Sequence, residues 1–276
     1  MKKANAGPSP HHVRALRSRI SSVLKPIEEN PLSSITTQEL QTRLDELPWT
    51  DVTRKKAIGS LGTFFNWAQN QGYVGEGKTA PQKLSIPIIK KKTPCTLSPE
   101  ELWILIKNVS PVYLPWLAIS SLAGVRREEL YPNSGSEKAA LQWEDFDWKA
   151  GSINVPPEVS KTNRRRHIQI CASLRDILSD FHQSIGPCCE GPPPERSVKG
   201  ESETKRLGDL IGGWRPNVLR HSFVSYRCTQ AGSVTASNEA GNSESETRSS
   251  YLDLKTPEEA EKYFANPAQT QTEPIS

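Results

Sequence analysis

Two arginines and a late tyrosine, far apart in the sequence, have side chains suited to chemistry at a phosphate. Arg126 lies in the segment GVRREEL (124–130), Arg220 lies in the segment LRHSF (219–223), and Tyr251 follows them near the C-terminus. A guanidinium group can bind two phosphate oxygens at once and stays charged at any working pH. A phenol can act as a nucleophile and leave a covalent intermediate. These residue types together fit an attack on a phosphodiester.

Each of these residues also has a plainer interpretation. Arg126 could be a surface arginine paired with Glu129, three residues further along a helix. A late tyrosine such as Tyr251 is more often a core or interface aromatic. The stretch before it, residues 242–250, is polar, which favours an accessible tyrosine.

The basic residues are unevenly distributed. The chain has 276 residues, enough for one large domain or two modest ones, and its net charge is +4, from 35 Lys and Arg against 31 Asp and Glu. Residues 1–25 and 161–175 contain six and five Lys or Arg respectively and no acidic residue. Such blocks fit contacts with phosphate, although a solvated surface explains any one of them about as well.

The sequence has no feature of a membrane protein, a secreted protein or a metalloprotein. No apolar run approaches the roughly 18 residues that span a bilayer, and the lysine-bearing N-terminus lacks the apolar part of a signal peptide. The five cysteines show no metal-ligand or redox spacing, and the five histidines form no HExxH motif. We therefore expect a cytoplasmic protein with reduced thiols, no metal and no other cofactor.

Hydrophobic periodicity predicts a small helical unit in the first part of the chain. Helices are expected at about 11–27, 34–47 and 50–72, with Arg54, Lys55 and Lys56 on the first turns of the third. A segment interrupted by proline and glycine follows, and Lys90, Lys91 and Lys92 cluster near its end. This change in composition predicts a domain boundary near residue 94.

The second part of the chain mixes helix and strand patterns. A buried helix is expected at 113–123, strands at 141–148, 152–155 and 166–170, and helices at 174–181, 207–211 and 216–230. Residues 186–206 read as a surface loop, and residues 233–250 have few large apolar side chains for a well-packed helix. The predicted organisation is a disordered segment 1–10, a helical domain 11–78, a linker 79–94, a second domain 95–264 and a flexible tail 265–276.

In their order and spacing, these motifs resemble the tyrosine recombinases, the family of the phage-type integrases. The segment TFFNWA (63–68) is similar to part of the family's helical core-binding domain, and LQWEDFD (141–147) to a strand of its catalytic domain. The segments around Arg126 and Arg220 resemble its two arginine motifs, and SKT (160–162) lies where its hairpin lysine belongs. The resemblance implies a mainly α fold with a small antiparallel β-sheet, made of an N-terminal SAM-like core-binding domain and a C-terminal catalytic domain.

The resemblance also implies a role for each residue. Arg126 and Arg220 would hold the non-bridging oxygens of one phosphate, and Tyr251 would attack it. Lys161 would protonate the departing 5′-oxygen, although without the family pattern it would read as an exposed hairpin lysine. Glu129 would orient Arg126 or brace a neighbouring helix.

Two positions depart from the family pattern. Asn217 lies three residues before Arg220, where the family usually has a histidine. Asn242 lies nine residues before Tyr251, where a histidine or tryptophan is usual. An asparagine can donate a hydrogen bond to a phosphate or leaving oxygen but cannot transfer protons near neutral pH. More of the proton transfer would then fall on Lys161.

The implied function is site-specific DNA recombination through a 3′-phosphotyrosine intermediate, without metal or ATP. The implied partner is double-stranded DNA in the nucleoid, on which a homotetramer assembles; no membrane and no small-molecule substrate are expected. The predicted DNA contacts are Arg54, Lys55, Lys56, Lys90, Lys91, Lys92, Arg164, Arg165 and Arg166. Two alternatives stay open: a catalytically weakened DNA-binding remnant or regulator of the same fold, and a relative of the type IB topoisomerases, which use the same chemistry.

Overall fold

The computed structural model describes residues 10–89, 93–132, 136, 138–194, 198–251 and 254–267. The chain separates into two compact units, residues 1–92 and 93–276. The predictions for residues 1–9, for Lys90, Lys91 and Lys92, and for residues 268–276 fall outside the described residues. None of the described helices has the length and apolar character needed to cross a membrane.

The first unit contains three α-helices, α1 (Pro10–Leu24), α2 (Thr37–Glu46) and α3 (Asp51–Asn70). They occur where the hydrophobic periodicity predicts them. A capping box starts α2: the Thr36 N–H donates to the Glu39 carboxylate over 2.8 Å, and the Glu39 N–H donates to the Thr36 hydroxyl over 3.2 Å. The Thr50 hydroxyl caps α3. The apolar faces of the helices meet in a core that includes Val23, Leu40 and Phe65.

The second unit is mostly helical. Its described helices are α4 (Pro99–Asn108), α5 (Leu114–Leu122), α6 (Arg127–Leu130), α7 (Ala172–Ser179), α8 (Val198–Leu210), α9 (Val218–Ala240), α10 (Glu244–Tyr251) and α11 (Pro257–Phe264). Every residue of α5 after Leu114 is buried, and α7 and α9 pack against this helix. This helical core supports the ends of α9 and α10.

A small antiparallel sheet completes the second unit. Its strands are β1 (Phe146–Asp147), β2 (Ser152–Val155) and β3 (Arg166–Gln169), in the order β1-β2-β3. Ile153 pairs with Ile168, and both side chains are fully buried, so one face of the sheet covers the helical core. The turn between β2 and β3 carries Lys161. The predicted mainly α fold with a small antiparallel sheet is confirmed.

Two local predictions were wrong. The strand expected at 141–148 is limited to Phe146–Asp147, because a 3-10 turn at Trp143–Asp145 precedes it and the Asp145 carboxylate accepts the Gln142 N–H over 2.9 Å. The loop expected at 186–206 contains the start of α8. Tertiary contacts hold this helix: the Glu203 carboxylate accepts the Ser110 N–H over 2.8 Å, and Arg206 donates to the Asn108 carbonyl over 2.6 Å.

The segment 233–250, which has few large apolar side chains, is nevertheless helical. Helix α9 continues through a kink at Gly232 (φ 83°, ψ 161°), and α10 follows. Small buried side chains and a partly buried ion pair stabilise the second half of α9: Ala236 and Ala240 are fully buried, and Arg227 binds Glu239 over 2.7 Å. Close packing of small residues therefore replaces the large apolar side chains that the prediction required.

Candidate active site

One cleft in the second unit, of 660 Å³, collects the residues predicted to be catalytic. The predicted residues that line it are Arg126, Lys161, Asn217, Arg220, Asn242 and Tyr251. They come from the N-terminus of α6, the β2–β3 turn, the N-terminal end of α9, the α9–α10 turn and the end of α10. The fold thus brings together side chains separated by up to half the length of the chain.

Arg126 is fixed by several hydrogen bonds at the N-terminus of α6. Its Nη1 donates to Glu129 Oε1 over 3.1 Å, and its Nη2 donates to the Gly241 carbonyl over 2.6 Å. The side chain is 13% exposed, so the guanidinium lies in the cleft wall. Gly241 has a φ of 66°, and a Cβ at that position would lie 3.2 Å from Arg126 Nη1, so the close approach favours glycine.

Arg220, in the first turn of α9, lies beside Arg126. Its Nη1 donates to the Gly124 carbonyl, and its Nη2 donates to the Ala240 carbonyl over 2.6 Å. Burial and then the charge of Arg126 lower the pKa of Arg220 to about 9, so the group is still charged at neutral pH. Two positive charges held this close favour the binding of an anion between them.

Asn242 joins the two arginines. Its Oδ1 accepts from Arg220 Nη2 over 2.8 Å and from Arg126 Nη2 over 3.3 Å. Asn217 also lines the cleft, as the residue before α9, and has a left-handed backbone (φ 57°) that asparagine adopts more readily than most residues. Its carbonyl accepts the His221 N–H over 2.9 Å. Neither asparagine can take up a proton near neutral pH.

Glu129, on α6, is 1% exposed and links three parts of the site. Its carboxylate accepts from Arg126, from Arg166 Nη1 over 3.0 Å and from the Lys161 N–H over 3.2 Å. Burial would raise the pKa of Glu129, but the hydrogen bond and charge of Arg166, followed by the charge of Arg126, hold it below its ordinary value. The ionised carboxylate therefore positions Arg126 and the β2–β3 turn together.

The basic run in the β2–β3 turn divides into exposed and buried residues. Lys161 is exposed in the wall of the cleft, and Arg164 and Arg165 are exposed along an adjoining cleft of 500 Å³ that reaches Asn242. Arg166, grouped with them by sequence as a DNA contact, is instead buried. Its Nε donates to the Glu239 carbonyl over 3.0 Å and its other nitrogens bind Glu129, so its guanidinium is occupied inside the protein.

The basic residues of α3 belong to the first unit and are not part of this cleft. Arg54 lies 3.6 Å from Asp45, while Lys55 and Lys56 are exposed.

Tyr251 is held by a histidine to which the sequence interpretation assigned no role. The Tyr251 hydroxyl lies 2.6 Å from His221 Nδ1, and their ring centroids are 5.7 Å apart. Burial raises the pKa of Tyr251, against the opposing effect of the Arg220 charge. Burial and then the Arg220 charge lower the pKa of His221. In the sequence, His221 directly follows Arg220 in the segment 219–223. The sequence interpretation assigned a function to Arg220 alone in this segment, and the histidine next to it was the signal that could have identified His221.

The cleft thus combines two guanidinium groups with a buried phenol. The guanidiniums can bind the oxygens of one phosphate, and Tyr251 lines the same cleft. In the described part of the chain, no three His, Cys, Asp or Glu side chains are grouped as metal ligands. The arrangement suits nucleophilic attack on a phosphodiester whose charge is stabilised by arginines.

Several solved structures have the same fold. A lambda integrase dimer bound to a core site aligns with a TM-score of 0.66 at 16% identity, over 91% of this chain and 92% of that one. The integrase of transposon Tn1549, in complex with a circular intermediate DNA, aligns with a TM-score of 0.63 at 16% identity, over 96% and 94% of the two chains. The fold is that of the tyrosine recombinases.

A third structure supports the same conclusion. The XerH site-specific recombinase, bound to its substrate in a post-cleavage complex, aligns with a TM-score of 0.59 at 15% identity, over 87% of this chain and 74% of that one. No protein-family model and no curated protein sequence matches the chain. The similarity to known proteins is therefore one of fold.

Proposed function

We propose that the protein is a site-specific DNA recombinase that uses Tyr251 as its nucleophile. The observation that carries the proposal is the position of Arg126 and Arg220, which share Asn242 as a hydrogen-bond acceptor in the same cleft as Tyr251. The fold supports it, because the similar Tn1549 integrase is in complex with a circular intermediate DNA and the similar XerH recombinase is bound to its difH substrate.

In the proposed reaction, a DNA phosphate enters the cleft and its non-bridging oxygens bind Arg126 and Arg220. The Tyr251 oxygen attacks phosphorus, a P–O bond to tyrosine forms, and the bond to the 5′-oxygen breaks while Lys161 protonates that oxygen. A 5′-hydroxyl from the partner strand then reverses the step. Because the phosphotyrosine ester keeps the energy of the broken link, rejoining needs no ATP.

The two arginines supply the charge stabilisation in this proposal. A preorganised donor aimed at the developing negative charge contributes about 10²- to 10³-fold to a rate. Arg126 and Arg220 are held by backbone carbonyls and by Glu129, so little reorganisation is needed when the charge develops. Guanidinium groups in this arrangement would do for the transition state what a metal ion does in other phosphoryl-transfer sites.

The proposal extends to DNA binding and assembly. Arg164 and Arg165 are exposed in the cleft that adjoins the active site, where they would contact phosphates next to the cleaved one. Arg54, Lys55 and Lys56 in the helical domain, with Lys90, Lys91 and Lys92 in the linker, would also contact the DNA backbone. Recombination between two sites would require a homotetramer on DNA, in the nucleoid of the cell.

The test is covalent trapping on DNA. Purified protein is incubated with labelled nicked duplexes that were selected for binding from a randomised pool, and adducts that resist SDS are measured. Tyr251→Phe removes the nucleophilic oxygen but keeps the ring, so we expect unchanged DNA affinity and no adduct. Undiminished trapping by Tyr251→Phe would contradict the assignment of the nucleophile.

A DNA-binding protein of the same fold without cleavage activity is the second candidate. Asn217 and Asn242 favour it, since neither can transfer a proton. The same experiment separates the candidates: duplex binding by the wild-type protein with no adduct on any selected duplex would favour the second.

A further inference from the structure

The proton of the Tyr251 hydroxyl must leave when the oxygen attacks phosphorus, and the structure places an acceptor against it. We infer that His221 is the general base that removes this proton through Nδ1, an inference that rests on the recombinase function proposed above. His221 Nδ1 lies 2.6 Å from the Tyr251 hydroxyl, within the distance for direct proton transfer.

No other residue of the predicted catalytic set is suited to accept the proton of the Tyr251 hydroxyl. Asn217 and Asn242 cannot bind a proton near neutral pH, and the Asn242 oxygen already accepts from both arginines. Lys161 is assigned to the opposite task, because it must protonate the 5′-oxygen. In the described part of the chain, His221 is the titratable side chain that hydrogen-bonds Tyr251.

Helices α9 and α10 hold the rings of His221 and Tyr251 next to each other. His221 lies in the first turns of α9, where its N–H donates to the Asn217 carbonyl over 2.9 Å and its carbonyl accepts the Ser225 hydroxyl over 2.9 Å. Tyr251 is the last residue of α10, which packs against α9, and it is 5% exposed. With the ring proton of His221 on Nε2, its Nδ1 accepts the tyrosine hydroxyl.

Burial and then the charge of Arg220 favour a neutral histidine, and burial favours a protonated tyrosine beside it. His221 faces Arg220 on its own helix and Glu246 and Tyr251 on α10. Burial and then Arg220 lower the pKa of His221, and Glu246 opposes them. The imidazole is therefore an acceptor at neutral pH. A bound DNA phosphate would offset the charge of Arg220, which makes His221 more basic when the proton has to be taken up.

The step balances without a further reactant. The Tyr251 oxygen forms a bond to phosphorus, and its proton moves to His221 Nδ1 to give an imidazolium. The bond from phosphorus to the 5′-oxygen breaks, and that oxygen takes a proton from the Lys161 ammonium. In rejoining, the attacking 5′-hydroxyl returns its proton to Lys161, and the imidazolium returns its proton to Tyr251.

The test compares three histidine variants in the covalent-trapping assay on the selected nicked duplexes. His221→Asn keeps a hydrogen-bonding atom near the Nδ1 position but cannot take up a proton, and His221→Ala leaves space for a small base. His167→Asn, at an exposed position of β3, is the matched control. We expect His221→Asn to bind DNA normally but to trap about 10²- to 10⁴-fold more slowly, the usual contribution of a general base. His167→Asn should trap at the wild-type rate.

Two further readouts separate proton transfer from a structural role. Added imidazole should restore trapping by His221→Ala, in proportion to its unprotonated form. The wild-type rate should rise with pH and level off once His221 is neutral, whereas the rate of His221→Asn should keep rising through the alkaline range as the phenol ionises. Circular dichroism verifies that each variant is folded.

The outcomes distinguish this inference from the proposed function. If the wild-type protein forms no adduct, the recombinase proposal fails. An adduct that forms at the wild-type rate in His221→Asn contradicts only the role of His221. A slow His221→Ala variant that imidazole does not rescue also contradicts it, since a base that fits the space should then have acted.

Discussion

At the scale of single residues, Glu129 is the side chain on which the most parts of the site depend. It binds Arg126 in the cleft wall, Arg166 inside the protein and the backbone of Lys161 in the β2–β3 turn. Its two arginine partners are 13% and 5% exposed. Removing the charge of Glu129 would leave two poorly solvated guanidiniums without their counterion.

We therefore predict a large loss of stability in Glu129→Gln. Breaking a buried ion pair by removing one partner costs about 3–5 kcal/mol. Glu128→Gln is the matched control, because Glu128 binds Arg127 with both side chains more than a third exposed, and such pairs contribute about 0–1 kcal/mol. Urea unfolding measures both free energies. Equal losses in the two variants would contradict the role of Glu129.

The same variant has a predicted pH signature. Since the folded protein holds the pKa of Glu129 below its ordinary value of 4.5, the ionised group stabilises the fold above that value. This contribution is lost as the pH falls through the lowered pKa. The free energy of unfolding of the wild-type protein should decrease below about pH 4.5 more steeply than that of Glu129→Gln. Parallel pH profiles would rule out the proposed linkage.

At the scale of elements, the end of α5 determines how Arg126 reaches the cleft. Gly124, just after α5, has a φ of 62°, and its carbonyl accepts from Arg220. A Cβ at this position would lie 2.2 Å from Cδ1 of Phe223, a fully buried residue of α9. Glycine is required there both by the backbone conformation and by the close approach of α9.

Gly124→Ala should therefore destabilise the second unit and separate the two arginines. We expect a loss of about 1–3 kcal/mol from overpacking, with an added cost from the left-handed backbone. Gly62→Ala in α3 is the control with the opposite sign, because a Cβ there meets no atom within 4 Å and alanine favours a helix by about 0.5–1 kcal/mol. Hydrogen exchange read by mass spectrometry reports each unit separately. Unchanged protection of α5 and α9 in Gly124→Ala would contradict the expectation.

At the scale of the whole molecule, the net charge of +4 conceals a local concentration of positive charge around the cleft. Arg164 and Arg165 are exposed in the adjoining cleft, whereas Arg166 is paired with the Glu129 carboxylate and donates to the Glu239 backbone carbonyl. A nucleic acid that follows the adjoining cleft to the active site would meet this charge.

The salt dependence of DNA affinity should report these contacts. Each phosphate contact adds about 0.9 to the slope of log affinity against log salt, so replacing Arg164 and Arg165 together by alanine should lower the slope by about 2. Lys262→Ala, at an exposed position of α11, should leave it unchanged. Filter binding of the selected duplexes over a range of salt concentrations measures the slope, and equal slopes for all three proteins would exclude both arginines as contacts.

The sequence predicted the elements that depend on local patterns. The three helices of the first unit, strand β2 and the buried helix before Gly124 follow from periodicity, capping and turn residues. It predicted a helix at 207–211 but not the first part of α8, and it did not predict that the chain is helical beyond Gly232 in α9 and α10. The start of α8 depends on Glu203 and Arg206, whose partners Ser110 and Asn108 lie elsewhere in the fold. The second half of α9 depends on the pair of Arg227 with Glu239, which joins the two sides of the kink.

The motifs around Arg126, Lys161, Arg220 and Tyr251 can be read along the chain because each is a local run of residues. The contacts that connect these motifs in space cannot be read in this way. Arg166 looks like its exposed neighbours in sequence, yet the strand turns it inward to Glu129, where an unpaired buried carboxylate would be costly. In the sequence, His221 is distinguished only by following an arginine. The packing of α10 on α9 places its ring against Tyr251. The pattern of residue types is local information, whereas burial and proton-transfer distance arise only when distant segments pack together.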